Sequence, residues 1–420
     1  MKQNPSSRTH LHAPALRAAY RRASLLGALP LLAACATAHQ GPAIPAATPS
    51  RSAIADSVRA VLLRGLADSA YPGAYAVVGS SNEIYASMGV GHLDWATSPV
   101  PDENTMWDMA SLSKVIGTTT AAMQLWEEGR LNLEAPVQKY IPEFTGKNKE
   151  LVTVRNLLTH SSGLPAWRPL YKEARTPEEA VQLVFTTPLD TLPNVRMVYS
   201  DLGIITLGKI IERISGESLD GYLALHVFGP LGMKSTMYRP PAWMRQRIAP
   251  TERDPWRGRL VYGEVHDENS YALGGVAGHA GLFSTGHDLA IFAQMYLNGG
   301  VHDSVRIMSE TAVKTFTQVQ DSTLSNRALG WEVPSGTNSA GHLLSKHAFG
   351  HTGFTGTSIW MDPDRDLFVI LLTNRVDPSR ESRGIYAVRP ALADAVAEAQ
   401  DASMGRKVVA TRAAHGDGSR

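Results

Sequence analysis

The stretch Met109–Thr120, MASLSKVIGTTT, places two serines and a lysine within four positions and then continues in a helical pattern. A surface helix can open this way, since serine is a good N-cap and lysine a good solvent-facing residue. The same letters also describe a nucleophile with its base one turn on. Ser111 and Lys114 lie three apart, so on a helix they share a face. The first turn would give Ser111 free backbone N–H groups and the positive end of the helix dipole. A serine hydroxyl needs a base to become a nucleophile, and burial lowers a lysine's pKa toward that role. Lys114 is the only lysine in the chain with a serine three residues before it. Ser113 points to another side and reads as helix surface or packing.

Working outward, strand-like and helical patterns divide the chain. Residues 53–69 carry apolar residues at helical spacing, and GAYAVVGSSNEIYASMGVG (73–91) reads as a hairpin around SSNE. Helical patterns dominate the middle, at 113–128, 151–159, 177–185, 201–215, 218–227 and 285–298. Near the end, GTSIWMDPDRDLFVILLTNRV (356–376) is a second hairpin with DPDRD as its turn, and AVRPALADAVAEAQ closes as a helix. The simplest packing is an α/β fold. An antiparallel sheet flanked by helices is built from both ends of the folded region (53–112 and 340–400), with a mostly helical inserted lobe at 113–339. A cleft at the seam of two such lobes is a common ligand site.

Composition bounds the rest. The 420 residues are 43% hydrophobic and 19% charged, ordinary for a globular protein with a sizeable core. Residues 1–35 hold five basic side chains (Lys2, Arg8, Arg17, Arg21, Arg22) and no acid, so the remainder has 35 basic against 39 acidic. No basic stripe survives, which argues against a nucleic-acid partner. The run ASLLGALPLLAA after Arg22 is too short to span a bilayer and ends at Cys35, the only cysteine. A small-residue stretch closing on a lone cysteine resembles a lipoprotein lipobox, which implies acylation of Cys35 and export to the cell envelope on a lipid anchor. A plain secretory signal cut near Ala34 or Ala36 is the alternative, and Arg21-Arg22 faintly matches a twin-arginine signal. Residues 36–52 read as a disordered tether and 401–420 as a disordered tail. A single cysteine allows no intrachain disulfide.

Two more segments bear on Ser111. MVYSDLG places Tyr199, Ser200 and Asp201 ahead of a helix, and FGHTGFTG places His351-Thr352-Gly353 at the start of the C-terminal hairpin. A strand carrying His-Thr-Gly could offer a backbone N–H to a substrate oxyanion, with glycine allowing close approach. Alone, Tyr199 would read as a half-buried core tyrosine and His351 as a satisfied strand histidine. Ser-x-x-Lys, Tyr-Ser-x and His-Thr-Gly in this order resemble the serine β-lactamase and penicillin-recognising superfamily, on its class C-like branch. LLTHSSGLP (157–165), GRLNLEAPVQKYIPEF (129–144) and GGVAGHAGLFSTGHDLAIFAQMYLNGG (274–300) agree with it. The resemblance implies Ser111 as the acylated nucleophile, Lys114 as its base, and Tyr199 as a proton shuttle. It implies His351 on the opposite wall, Thr352 and Gly353 along the substrate strand, and an oxyanion hole from the N–H groups of Ser111 and Phe354. No cofactor is implied.

Departures narrow the substrate. Many relatives carry lysine where His351 stands; a mostly neutral imidazole suits a β-lactam carboxylate less well. Asp201 stands where asparagine is frequent, and a carboxylate cannot donate a hydrogen bond to a substrate amide carbonyl. It could hold Lys114 protonated, or simply cap the helix at 202–215. His279 in GHAG is a rival for His351, but the pattern after it reads as helix rather than paired strand, so His279 is expected to line or buttress the cleft. VHDENSYALGGVAGHAGLFS (265–284) resembles exported cell-wall enzymes and esterases. Its acids and histidines lack the His-Glu-x-x-His spacing of a zinc site, so no metal is expected. There is no Gly-x-Ser-x-Gly. The expected activity is an exported serine hydrolase acting on peptidoglycan-derived peptide or amide bonds, or on small esters. A non-turnover cell-wall-peptide binder and a true β-lactamase are the alternatives, and oligomeric state is not legible.

Overall fold

The structure, a computed structural model, describes residues 49–96, 98–336 and 338–406. The expected signal segment, Cys35 and most of the expected tether lie outside these residues, as does the expected tail from 407. The first helix, α1 (Arg51–Ala67), starts inside the stretch read as tether, because Ser50 caps it by accepting the N–H of Ala53 at 3.4 Å. Then follow β1 (Gly73–Gly79), β2 (Ile84–Gly91), β3 (Trp107–Asp108), α2 (Thr120–Glu127), α3 (Asp201–Ser215), β4 (Met237–Tyr238), β5 (Leu282–Ser284) and α4 (Gly286–Leu297). The C-terminal part adds β6 (Phe349–Thr352), β7 (Ser358–Asp362), β8 (Leu367–Thr373) and α5 (Ile385–Ser403), the last running past residue 400.

Five strands form one antiparallel sheet in the order β6-β7-β8-β1-β2, so the two ends of the folded chain meet at its centre, where Ala74 pairs with Thr373. Alternation along β1 and β8 serves two cores, because successive strand side chains face opposite ways. Ala74, Ala76, Val78, Val369 and Leu371 join Ile54, Val58 and Leu62 of α1 and Leu392 and Val396 of α5 on the outer face. Tyr75, Val77, Phe368, Ile370 and Leu372 join the larger core shared with α2, α3 and α4 on the inner face.

The inserted lobe is mostly helical but not wholly. β3, β5 and β4 make a three-stranded sheet, with Asp108 opposite Phe283 and Tyr238 opposite Leu282. A paired strand therefore does follow His279, contrary to the helical reading of that stretch; the helix begins only where Thr285 caps α4. The helix after Ser111 also differs from a plain α-helix. Lys114–Thr119 is one wide, π-type stretch that passes into α2, a geometry frequent at functional sites.

Candidate functional site

The chain enters the site by a sharp turn. Ala110 has φ +45°, a left-handed conformation costly for a residue with a Cβ, and the buried Asp108 carboxylate fixes the turn by accepting the Ala110 N–H at 2.8 Å. Ser111 follows in the first turn. Its Oγ lies 2.8 Å from Lys114 Nζ, which donates to it and also to the carbonyl of His279 at 3.0 Å. Ser113 is fully buried, and its Oγ accepts the N–H of Leu282 at 3.0 Å, pinning β5 to the helix. Of its two expected roles, packing is the one observed.

Asp201 lies 2.8 Å from Lys114 Nζ. Burial alone would lower the Lys114 pKa, but the charge and hydrogen bond of Asp201, with a further contribution from Tyr199, raise it above its usual value. The expectation of a lysine made basic by burial is thus reversed, because the desolvated ammonium has a carboxylate beside it. The capping expectation for Asp201 also changes. Ser200 is the N-cap of α3, accepting the Gly203 N–H at 3.3 Å, and Asp201 is the first helical residue with its carboxylate free for Lys114. Asp201, Asp267 and His279 bring one ligand atom each within 4.8 Å of one another. The Lys114 ammonium is the cation this acidic group already holds. His279 Nε2 meets Asp267 at 2.9 Å, so its side chain buttresses the network while its carbonyl orients Lys114.

The Tyr199 ring sits 4.9 Å from Lys114 Nζ, between the rings of His160 at 4.5 Å and His351 at 5.8 Å. Its hydroxyl is buried without a partner. His160 Nδ1 accepts the Ser200 N–H at 3.1 Å and so orients the Tyr199-Ser200 segment. Burial, reinforced by Arg327 and Lys114, pushes the His351 pKa well below the ordinary imidazole value, so the ring is neutral; its Nδ1 contacts the Thr352 carbonyl at 2.8 Å.

His351 and Thr352 lie on β6, and Gly353 and Phe354 follow. A Cβ on Gly353 would stand 2.5 Å from the Met109 carbonyl oxygen, so only glycine lets this strand approach the Ser111 segment. Thr355 and Thr357 hold the approach by donating to the carbonyls of Asp108 (2.7 Å) and Met109 (3.2 Å). Neither the Ser111 nor the Phe354 backbone N–H is paired among the described residues, as an oxyanion hole requires.

Sequence reasoning missed the cations of this site. Ser111, Tyr199, His351, Thr352, Gly353 and Phe354 line a cavity of about 270 Å³ together with Arg327, Glu332, Arg375, Tyr386 and Arg389. Arg389, on α5, donates to the carbonyls of Gly353 (2.6 Å) and Thr357 (2.9 Å). Burial, reinforced by the charge of Arg375, lowers its pKa to about 10, still charged at neutral pH. Arg327 meets Glu332 only at 3.8 Å. Arg327 and Arg389 are 9% and 6% exposed, and each keeps one guanidinium nitrogen without a partner. A larger cavity of about 630 Å³ beside Tyr296 and Phe349 contains none of the motif residues.

A family model described as Beta-lactamase matches residues 58–393. A protein of Salmonella agona (strain SL483) named "Putative D-alanyl-D-alanine carboxypeptidase" is 34% identical over 348 residues, covering 73% of this chain and 80% of that protein. Among solved structures, EstCE1, a hydrolase with promiscuous acyltransferase activity, superposes with TM-score 0.67 at 21% identity, over 83% of this chain and 99% of that one. The octameric penicillin-binding protein homologue from Pyrococcus abyssi superposes with TM-score 0.64 at 24% identity, over 84% and 78% of the two chains. Likeness at that identity establishes the fold.

Proposed function

The chain belongs to the beta-lactamase family and is a serine hydrolase, and from that premise we propose that it is a carboxypeptidase of cell-wall peptides acting through an acyl-enzyme on Ser111. The observation that carries this reading is the pair Arg327 and Arg389. Two guanidinium groups lining the cavity that holds Ser111 give it a positive charge that suits a substrate carboxylate one residue beyond the scissile bond. The name of the Salmonella relative points the same way.

In this reading Ser111 Oγ attacks the peptide carbonyl, and the oxyanion is held by the Ser111 and Phe354 N–H groups. The serine proton leaves along the contacts around Lys114. The ammonium first passes one proton to Asp201, and the neutral amine then accepts that of Ser111, which later replaces the proton Tyr199 gives up. Tyr199 returns a proton to the departing amine, the C-terminal amino acid leaves, and water hydrolyses the ester. His351, neutral, shapes the wall against Tyr199. Export on a lipidated Cys35 belongs to the same proposal, supported by the pattern of residues 1–35; it would bring the enzyme to peptidoglycan.

A second reading, ester hydrolysis, is favoured by one feature: Asp201 offers no N–H to an amide carbonyl and is engaged by Lys114. The deciding experiment gives the purified protein a peptide ending in D-Ala-D-Ala, the same peptide with its terminal carboxylate amidated, and p-nitrophenyl esters. Release of D-alanine from the free acid, about tenfold or more faster than cleavage of the amidated peptide, is expected from loss of a charge-assisted contact. Turnover of esters alone would replace the carboxypeptidase by the esterase. Failure of a fluorescent penicillin and an organophosphonate to label Ser111 in the folded protein would leave a binding protein.

A further inference from the structure

An unpartnered row of aromatic side chains flanks the cleft. Trp167, Trp256 and Tyr271 are 48%, 42% and 42% exposed, and Tyr171 lies between them. Ring centroids are 6.3 Å apart from Trp167 to Tyr171, 4.7 Å from Tyr171 to Trp256, and 5.9 Å from Trp256 to Tyr271. Large exposed aromatics normally stand singly, and a contiguous series marks a binding surface.

The row is built rather than left over. The Arg257 side chain, only 4% exposed, lies beneath two of the rings, 4.5 Å from Tyr271 and 5.5 Å from Trp256. Its Nη1 donates to the His266 carbonyl at 3.2 Å, while its Nη2 is buried without a partner. The Asp254 carboxylate accepts the backbone N–H of Trp256 at 2.8 Å. Neighbouring ring planes are inclined at 51°, 71° and 82°, so the rings pack edge to face along the row, with Arg257 against two of them.

The row is also continuous with the catalytic network. Ala166, beside Trp167, accepts the backbone N–H of Asp201 at 2.9 Å. Asn269, two residues past Asp267, accepts the Tyr171 N–H at 3.2 Å and donates to the Arg168 carbonyl at 2.8 Å. Both anchors are residues at, or two positions from, the carboxylates gathered around Lys114.

The chemistry selects the occupant. A membrane or a protein partner calls for a broad apolar patch, whereas this row carries a cation, with Lys172 over Tyr171 at 5.3 Å. A pyranose ring asks for that combination, since its C–H face stacks on an aromatic plane while its hydroxyl edges take hydrogen bonds from polar neighbours. We propose that Trp167, Tyr171, Trp256 and Tyr271 form a saccharide-binding wall, on which sugar rings of a glycan stack while the peptide they carry enters the Ser111 cavity. The choice of glycan rests on the cell-wall reading above; the wall itself does not depend on which bond is cleaved.

The test therefore measures binding without turnover. The full protein carrying Ser111→Ala is titrated with a soluble β-1,4-linked N-acetylglucosamine oligomer, and tryptophan fluorescence is followed. A saturable change is expected, weakened about tenfold by Trp256→Ala and largely kept by Trp256→Phe. Tyr271→Ser, at an exposed position, gives a second reading should Trp256→Ala melt early. No saturable saccharide response in the folded protein would overturn the proposal, as would a response unchanged by Trp256→Ala and Tyr271→Ser. A Trp256-dependent response to anionic phospholipid vesicles with none to the saccharide would overturn it in favour of a membrane contact. Because no hydrolysis is read, saccharide binding can fail while the carboxypeptidase holds, and the reverse.

Discussion

The two faces of the five-stranded sheet are stabilised by different means. On the outer face α1 and α5 cover alternate residues of β1 and β8 with aliphatic side chains, and one buried hydroxyl there, that of Tyr71, donates to the Leu62 carbonyl at 3.0 Å. The inner face meets the helical lobe at a seam where Tyr199, His160, His351, Arg327 and Arg389 each keep a buried polar atom without a partner. Unpaired buried polar groups cost on the order of 1–3 kcal/mol each. The outer face holds two such atoms, Thr373 Oγ1 on β8 and Gln400 Oε1 on α5, whereas the seam gathers five of them beside Ser111, as expected of a region shaped for a task other than stability.

Substitutions can break this contrast from either side. The largest expected effect is Ser111→Ala, which should abolish acylation, a loss of about 10⁴-fold or more in turnover, with the thermal midpoint unchanged or raised. A large fall in stability instead would mean that Ser111 is part of the core. Next, Leu371→Ala on the outer face should cost about 2–5 kcal/mol in urea unfolding, with kcat/KM retained at temperatures where the protein stays folded. If activity fell while stability held, the two faces would not be separable.

Arg327→Gln sharpens the comparison from the seam. It should raise KM for free-acid peptides by about tenfold to a hundredfold, the range for loss of a charge-assisted contact, without loss of stability, since it removes a buried, poorly paired charge. An equal rise for the amidated peptide would remove the carboxylate from the argument. The smallest effect is in pH. His351 binds its proton far less well folded than unfolded, first through burial and then through Arg327 and Lys114. Below the unfolded value near pH 6.5 the unfolded chain takes up a proton that the native site refuses, so stability falls on acidification. His351→Gln should flatten the slope of unfolding free energy against pH between about 5 and 6.5, by up to about 1.4 kcal/mol per pH unit. An unchanged slope would show that this histidine titrates normally.

Much of this was legible before any coordinates. Ser111, Lys114, Tyr199 and His351 carry local spacing or motif order, and the hairpins at 73–91 and 358–373 announce themselves by strand alternation and turn residues. The charge state of Lys114 was not legible, because it depends on Asp201 arriving from a distant helix by tertiary packing. A boundary one residue earlier, with Ser200 as the cap, turns Asp201 from a capping group into an ion-pair partner. β5 escaped because three residues between Gly281 and a helix cap are too few to display alternation. Arg389 did leave a trace: it interrupts the apolar stripe of Ile385, Val388, Leu392 and Val396 on α5. A cation on the buried face of a helix asks for a partner, and here that partner is the substrate strand. Arg327 sits in a loop with no periodicity to violate.

The pairing of β1 with β8 also sets an order in time. A ribosome releases Ser111 and Lys114 early, while β6, the Gly353 turn and Arg389 emerge among the last residues of the domain. The central strand waits for a neighbour from the far end of the chain, so the nascent polypeptide carries its nucleophile through most of synthesis without an oxyanion hole. The last elements to emerge therefore complete the site: a chain ending before β6 lacks the Phe354 N–H, and one ending before α5 lacks the Arg389 that holds the Gly353 and Thr357 carbonyls.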